Sequence, residues 1–263
     1  MNWIDTAAAY GFGRSERVVG RALAGMTGRP YVFTKASLLD DGTGHVRHVL
    51  KRDSILREAE GSLRRLGVDA IDLYQIHWPI PDEDIEEGWA AMAELKERGL
   101  VRHIGVSNFS ASQLRRIASI APVETIQPPC SLIDRAAEAE ILPLAEQDRI
   151  GVIVYSPMGS GLLTGAMIRE RIARLPADDW RSRDIRFTEP QLSQHLALAA
   201  RLRAVAGRHA VTPGAVAVAW ALRNPAVDGA ITGFRRPAQV DPILAAADLE
   251  LTGKDLADIE AAN

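Results

Sequence analysis

Asp5, Tyr10, Lys35 and His77 supply a carboxylate, a phenol, a primary amine and an imidazole near the start of the chain. The chemistry that such a set suits is proton donation by the phenol. A tyrosine with its ordinary pKa near 10 donates poorly at neutral pH, and a neighbouring ammonium lowers that value by favouring the phenolate. Lys35 can supply the charge, Asp5 can keep Lys35 protonated and oriented, and His77 can hydrogen-bond the oxygen that receives the proton. Taken singly, each residue is more often structural: an Asp caps a turn, a Lys solvates a strand end, a His sits satisfied in a core. Their coincidence at separate strand ends carries the weight. No nucleophile is paired with a base, and no His/Asp/Glu cluster points to a metal. His45 and His48, in His45-Val46-Arg47-His48 followed by Lys51-Arg52, lack partner ligands and read as a solvated or substrate-gating loop.

The elements that must position these groups alternate along the chain. Short apolar runs at 2–5, 31–35, 70–76, 102–106, 123–127, 151–155 and 228–232 read as strands, most of them continuously apolar as parallel strands buried on both faces are. After Asp53 a helix is expected to end at Gly67, with Ile55, Leu56, Ala59, Leu63 and Leu66 on the buried face and Arg57, Glu58, Glu60, Arg64 and Arg65 on the other. Further helices are expected near 15–24, 83–98, 111–119, 134–148, 190–206, 213–223, 236–247 and 253–262. Caps mark several starts: Ser110 with Gln113, Thr188 with Gln191, Thr252 with Asp255, and Thr212 before Pro213.

Strict β/α alternation without linkers or low-complexity tracts predicts one α/β domain over residues 1–263 with a parallel sheet. No G-x-G-x-x-G is present, which favours a barrel over a doubly wound nucleotide-binding sheet. A barrel gathers its chemistry at the C-terminal strand ends. Those ends carry Asp5 with Tyr10 beyond it, Lys35, His77, Ser107-Asn108, Gln127, Tyr155-Ser156, and Gly233 followed by Arg235-Arg236.

Composition narrows the class further. The chain has 263 residues, 47% hydrophobic and 25% charged, with 31 Lys plus Arg against 34 Asp plus Glu. This excludes a disordered tail, collagen and a disulfide-stapled miniprotein. The net charge of −3 argues against nucleic acid as a partner. No apolar run approaches the roughly 18 to 20 residues that span a bilayer, and no signal-peptide pattern follows Met1, so a cytoplasmic protein is expected. The one cysteine, Cys130, permits no internal disulfide and reads as a small core hydrophobe.

With these residues in view, the chain resembles the aldo-keto reductases. The resemblance is carried by Ile4-Asp5-Thr6-Ala7 with Tyr10-Gly11 and Ser15-Glu16; by Thr34-Lys35; by Ser62-Leu63-Arg64-Arg65-Leu66-Gly67-Val68-Asp69 leading into Asp72-Leu73-Tyr74-Gln75-Ile76-His77-Trp78-Pro79; by Ile104-Gly105-Val106-Ser107-Asn108-Phe109; by Gln127-Pro128-Pro129; and by Tyr155-Ser156-Pro157-Met158-Gly159. It covers nearly the whole chain in order. It implies a (β/α)8 TIM-barrel fold and NADPH-dependent reduction of aldehydes or ketones. The catalytic tetrad would be Asp5, Tyr10, Lys35 and His77, with Tyr10 as general acid to a carbonyl that receives hydride. Ser107, Asn108 and Gln127 would hold the nicotinamide carboxamide, and Tyr155 would stack beneath the ring. The segment Ser156, Pro157, Met158, Gly159, Ser160 to Leu162 would follow the pyrophosphate. Gly233, Arg235, Arg236 and Gln239 fall where the family grips the adenosine 2′-phosphate, which favours NADPH (NADP+). Trp78 would line the substrate pocket.

The pattern departs from the family in places. Cys130 replaces an aromatic residue, and Ile243 stands where Asn is frequent. The chain begins at the family's second strand, so only seven βα units are expected and strands 2–5 and 228–232 should be sheet edges. Two other readings share the same residues: a non-catalytic NADPH-binding or regulatory subunit, and a truncated, inactive fragment of a reductase.

Overall fold

The computed structural model describes residues 2–261. The elements run β1 (Trp3–Asp5), α1 (Arg14–Leu23), β2 (Tyr31–Ala36), β3 (Leu38–Asp40), β4 (Val46–His48), α2 (Arg52–Leu66), β5 (Ile71–Ile76), α3 (Ile85–Glu97), β6 (Val101–Ser107), α4 (Ala111–Ala118), β7 (Thr125–Gln127), α5 (Ile141–Asp148), β8 (Gly151–Tyr155), α6 (Arg169–Ile172), α7 (Gln191–His209), α8 (Pro213–Leu222), β9 (Gly229–Ile231), α9 (Val240–Leu244) and α10 (Gly253–Glu260). Seven strands form one sheet in the order β1-β2-β5-β6-β7-β8-β9, all neighbours parallel, with β1 and β9 at its two ends. This is the α/β fold class of the TIM-barrel type, with all seven expected strands in place. The chain divides into two compact units, residues 1–128 with 143–152, and residues 129–142 with 153–263.

In the first unit the register aligns the strand ends that matter. Asp5 pairs with Phe33, Lys35 with Gln75, and Ser107 with Gln127. Alternation along each strand then sorts the side chains. Lys35 and Gln75 share one face, while Thr34 points the other way and donates to Glu16 of α1 at 2.6 Å. On that helix-facing side Glu16 is fully buried and also accepts from Arg65 Nε at 2.5 Å.

Glu58 corrects the expected pattern of α2. The helix does present Ile55, Ala59 and Leu66 to the core and stops at Gly67, whose φ of +68° suits a glycine C-cap. Glu58, however, is buried rather than solvated. Its Oε2 accepts from the Ser37 backbone N–H at 2.9 Å and its Oε1 from Ser54 Oγ at 3.0 Å. Burial pushes its carboxyl up to about 7, with the bonds from Ser54 and Ser37 and the Arg65 charge opposing and Glu16 adding to the rise. Burial and the same two carboxylates push the Tyr74 hydroxyl well above its ordinary value. A carboxyl whose folded pKa is raised contributes its stability below the unfolded pKa of 4.5 and loses it as pH climbs to about 7. Between those limits the native protein should lose about 3 kcal/mol relative to Glu58→Gln, on the linkage constant of about 1.4 kcal/mol per pKa unit. Urea unfolding at pH 4.5 and 7.5 measures this, and parallel pH dependence in the two proteins refutes it.

Other expectations meet local chemistry. Ser110 and Thr252 make the predicted capping boxes, and Thr212 accepts from Ala215 N with Pro213 at the first helical position. Thr188 does not cap α7: its hydroxyl donates to Ile185 O at 3.0 Å, and Glu189 accepts from Ser193 N instead. The helix expected over 134–148 is a 3₁₀ turn, Ala136–Glu138, followed by α5. The one expected over 236–247 is α9 between two 3₁₀ turns. The antiparallel pair β3–β4 lies between β2 and α2, where no strand is expected, and β4 includes His48 of the stretch read as a loop. Position 262, the last of the expected final helix, lies outside the described residues.

Candidate active site

The loop after β1 carries Tyr10 outward. Gly11, Phe12 and Gly13 have φ of +59°, +49° and +84°, a left-handed run that turns the chain into α1. At Gly13 a Cβ would lie 2.6 Å from Arg65 Cδ, so a larger residue would displace the Arg65 side chain as well as strain the left-handed backbone. Tyr10 is left 46% exposed, accessible to a solute.

Beneath it Lys35 is almost fully buried. Its ammonium donates to Asp5 Oδ1 in a short ion pair and to Thr6 O at 3.1 Å. Burial lowers the lysine pKa, and Asp5 opposes that fall by charge and hydrogen bond. The ammonium sits 5.6 Å from the centroid of the Tyr10 ring, within cation–π reach. His77 meets the same ring edge-on, with centroids 5.7 Å apart and planes at 77°. Burial, the Lys35 charge and the His48 charge depress the His77 imidazole to about 3, so at neutral pH it is uncharged. Its Nδ1 is buried without a protein partner.

The amides and hydroxyls at the next strand ends join this group. Gln127 Nε2 donates to Asp5 Oδ2 at 3.1 Å, and Ser107 Oγ donates to Gln127 O at 2.8 Å. Asn108, at φ +64°, donates from Nδ2 to His77 O at 2.9 Å and to Ser107 Oγ at 3.1 Å. Asp5, Tyr10, Lys35, His77, Ser107, Asn108 and Gln127 therefore form one connected cluster in the first unit. Trp78, next to His77, is 38% exposed, while its backbone N–H is 3.4 Å from Ser37 Oγ. Gln75 belongs here too: it is fully buried and accepts from Gln127 Nε2 at 3.5 Å. It is absent from the candidates at the strand ends, although its parity with His77, two residues on, places it on the same face. His48 faces His77 closely enough to affect its charge, yet among the described residues no group of three potential ligands could hold a metal. The expectation for Cys130 matches a buried thiol raised to about 11 by burial.

The second unit carries the other candidate residues. Tyr155 ends β8 and its carbonyl accepts from Cys130 N at 3.2 Å. Burial and Asp134 raise its phenol pKa, and Arg186, absent from the candidates read in the sequence, opposes them. Arg186 belongs to a repeated Asp-x-Arg signal, Asp179/Arg181 and Asp184/Arg186, each a bidentate pair in a tight turn. Ser156, Gly159, Ser160 and Gly161 all have positive φ, and a Cβ at Gly159 would lie 2.6 Å from Ile133 Cδ1. Pro157 and Gly159 are buried, Met158 packs in the Ala215 cluster, and Leu162 is sealed in a core with Met167, Phe187 and Leu192. The Leu162 side chain thus anchors the loop in the core. Beyond β9, Gly233, Arg235 and Arg236 are exposed, and Gln239 Oε1 accepts from the Arg235 and Arg236 N–H groups at 2.8 and 3.0 Å. Gln239 therefore shapes the turn that presents the two guanidiniums. Ile243 packs in the cluster around Gly214 and Ala215.

The sequence of this chain is matched over residues 1–263 by the family model described as Aldo/keto reductase family. The chain belongs to the aldo/keto reductase family, a family of oxidoreductase enzymes. It is 39% identical over 259 residues to the aldo-keto reductase YhdN of Bacillus subtilis, covering 97% of this chain and 77% of the relative. It is 32% identical to the NADH-specific methylglyoxal reductase of Escherichia coli, covering 97% and 81%. The solved glycerol dehydrogenase of Gluconobacter oxydans superimposes with a TM-score of 0.91 at 38% identity, covering 99% of this chain and 80% of that one. Among the described residues no helix is long and apolar enough to cross a membrane.

Proposed function

We propose that the protein is an NADPH-dependent reductase of small aldehydes and ketones, with Tyr10 as the proton donor. The observation that carries this reading is the buried Lys35 ammonium, held by Asp5 and 5.6 Å from the centroid of an exposed Tyr10 ring. NADPH would supply the hydride to the carbonyl carbon. The Tyr10 hydroxyl would give its proton to the carbonyl oxygen, and the Lys35 charge would stabilise the phenolate left behind. His77, uncharged near neutrality, would donate one hydrogen bond to the same oxygen without competing as an acid. Exposure of Tyr10 lets solvent return the proton.

Each of the two units offers groups that would suit part of a dinucleotide phosphate. Asn108, Ser107 and Gln127 offer amide and hydroxyl groups suited to a carboxamide, and Tyr155 offers a ring suited to stacking. The loop of left-handed residues from Ser156 allows close backbone approach, and adjacent exposed guanidiniums at Arg235 and Arg236 suit a dianionic phosphate. The names of the Escherichia coli and Gluconobacter relatives point to small, oxygen-rich substrates. We extend that class to this protein, with the exposed Trp78 as a substrate contact.

Purified protein should oxidise NADPH with methylglyoxal, glyceraldehyde or 4-nitrobenzaldehyde, followed by loss of the cofactor's near-ultraviolet absorbance. Failure with every carbonyl at saturating cofactor overturns the reading. Arg235→Ala and Arg236→Ala should each raise the KM for NADPH roughly tenfold, the loss of one charge-assisted phosphate contact, and leave the KM for NADH unchanged. Equal changes for both cofactors would place the guanidiniums away from the 2′-phosphate.

A further inference from the structure

We infer that Glu58 is a positioning residue for the active site, acting through Ser37, and this rests on the reductase reading of Tyr10, Lys35 and His77. Glu58 lies on α2, away from the reacting groups, but its carboxylate grips the first residue beyond β2. Ser37 is fully buried with φ +81°, a left-handed conformation that a serine adopts only when its surroundings hold it there. All of its polar groups are engaged. Its N–H donates to Glu58 Oε2 at 2.9 Å, its carbonyl accepts from Val49 N at 3.0 Å, and its Oγ lies 3.4 Å from Trp78 N and 3.5 Å from Trp78 O. One residue earlier, Ala36 O accepts from His77 N at 3.1 Å, and one before that stands Lys35.

Ser37 is therefore the knot that ties the end of β2 to His77 and Trp78 at the end of β5 and to the β3–β4 hairpin. Glu58 is the side chain that fixes its backbone from the helix layer. Ser54, one turn earlier on α2, fixes Glu58 in turn. Without the carboxylate, the Ser37 N–H is left buried and unbonded, and the backbone is expected to relax from its left-handed turn. A shift of that kind moves Lys35, His77 and Trp78 together, and displacements near 1 Å at reacting groups cost about a hundredfold in rate. The bond, rather than the charge, is what the fold uses. A carboxamide at this position still accepts from Ser37 N–H through its oxygen and donates to Ser54 Oγ through its nitrogen.

Three variants test this in the full chain. Glu58→Leu should lower kcat roughly 10- to 100-fold, while the Kd for NADPH, read by fluorescence quenching, stays within about twofold. Glu58→Gln should restore kcat to within about threefold of wild type. Ser37→Ala, which deletes only the hydroxyl bridge to Trp78, should lower kcat/KM for the carbonyl several-fold at unchanged NADPH affinity, and keeps the test open should Glu58→Leu not fold. A folded Glu58→Leu with wild-type kcat, equal losses in the Leu and Gln variants, or unchanged kcat/KM in Ser37→Ala each overturns the inference. Amide hydrogen exchange at Ser37 separates this from the functional reading. If the wild type reduces no carbonyl, that reading fails, while loss of Ser37 protection in Glu58→Leu and its retention in Glu58→Gln still support the positioning contact. Unchanged protection in Glu58→Leu refutes it.

Discussion

Tyr10→Phe is expected to lower kcat by about a thousandfold, within the roughly 10²- to 10⁴-fold range of a lost general acid, and to leave NADPH binding intact. The substitution removes one oxygen and little else. The ring keeps its edge contact with His77 and stays within reach of the Lys35 ammonium, because both interactions are made by the ring itself. Stability should fall by no more than about 1 kcal/mol, the scale of one hydrogen bond at a half-exposed site. Hydride arriving at a carbonyl carbon without a proton for the oxygen leaves an alkoxide, and neutral His77 is a poor source of that proton. Steady-state kinetics with a fixed carbonyl, paired with fluorescence titration of NADPH, measure both halves. Retention of more than about a tenth of kcat would move the donor elsewhere.

Much of this site is legible in the amino-acid sequence. The polar residues at successive strand ends fall into register because neighbouring parallel strands pair close to their C-terminal ends, as the Lys35–Gln75 and Ser107–Gln127 pairs show. Sequence patterning serves less well where a tertiary partner overrides it. Glu58 looks solvated on the helical wheel, since periodicity records polarity and not the buried Ser37 amide waiting across the helix–sheet gap. The hairpin of β3 and β4 is hard to see because each strand has only three residues, although Asp41-Gly42 in the connection between them is a hairpin turn signal. In the stretches that read as continuous helices, apolar spacing runs on through breaks. Pro143 and Pro242 sit within the first turns of α5 and α9, where proline is tolerated because its missing N–H has no intrahelical partner.

Lys35→Met offers the sharpest separation of stability from catalysis. Methionine fills much of the lysine volume but removes the ammonium, leaving the Asp5 carboxylate, 5% exposed, with the Gln127 amide as its remaining side-chain donor. Breaking a buried pair from one side costs about 3–5 kcal/mol, because the surviving charge stays desolvated. kcat should fall as well, by about a hundredfold or more, since the phenolate that forms at Tyr10 loses its stabilising cation. Adding Asp5→Asn to Lys35→Met removes the orphaned charge, and the neutral amide should recover most of the lost stability. It cannot recover the cation, so kcat should stay low in the double variant. Thermal unfolding and kinetics on the four proteins of this cycle test both statements. A double variant that regains activity would assign Lys35 a purely structural part. One that stays as unstable as Lys35→Met would mean that the cost lies in packing around position 35 rather than in the unpaired Asp5.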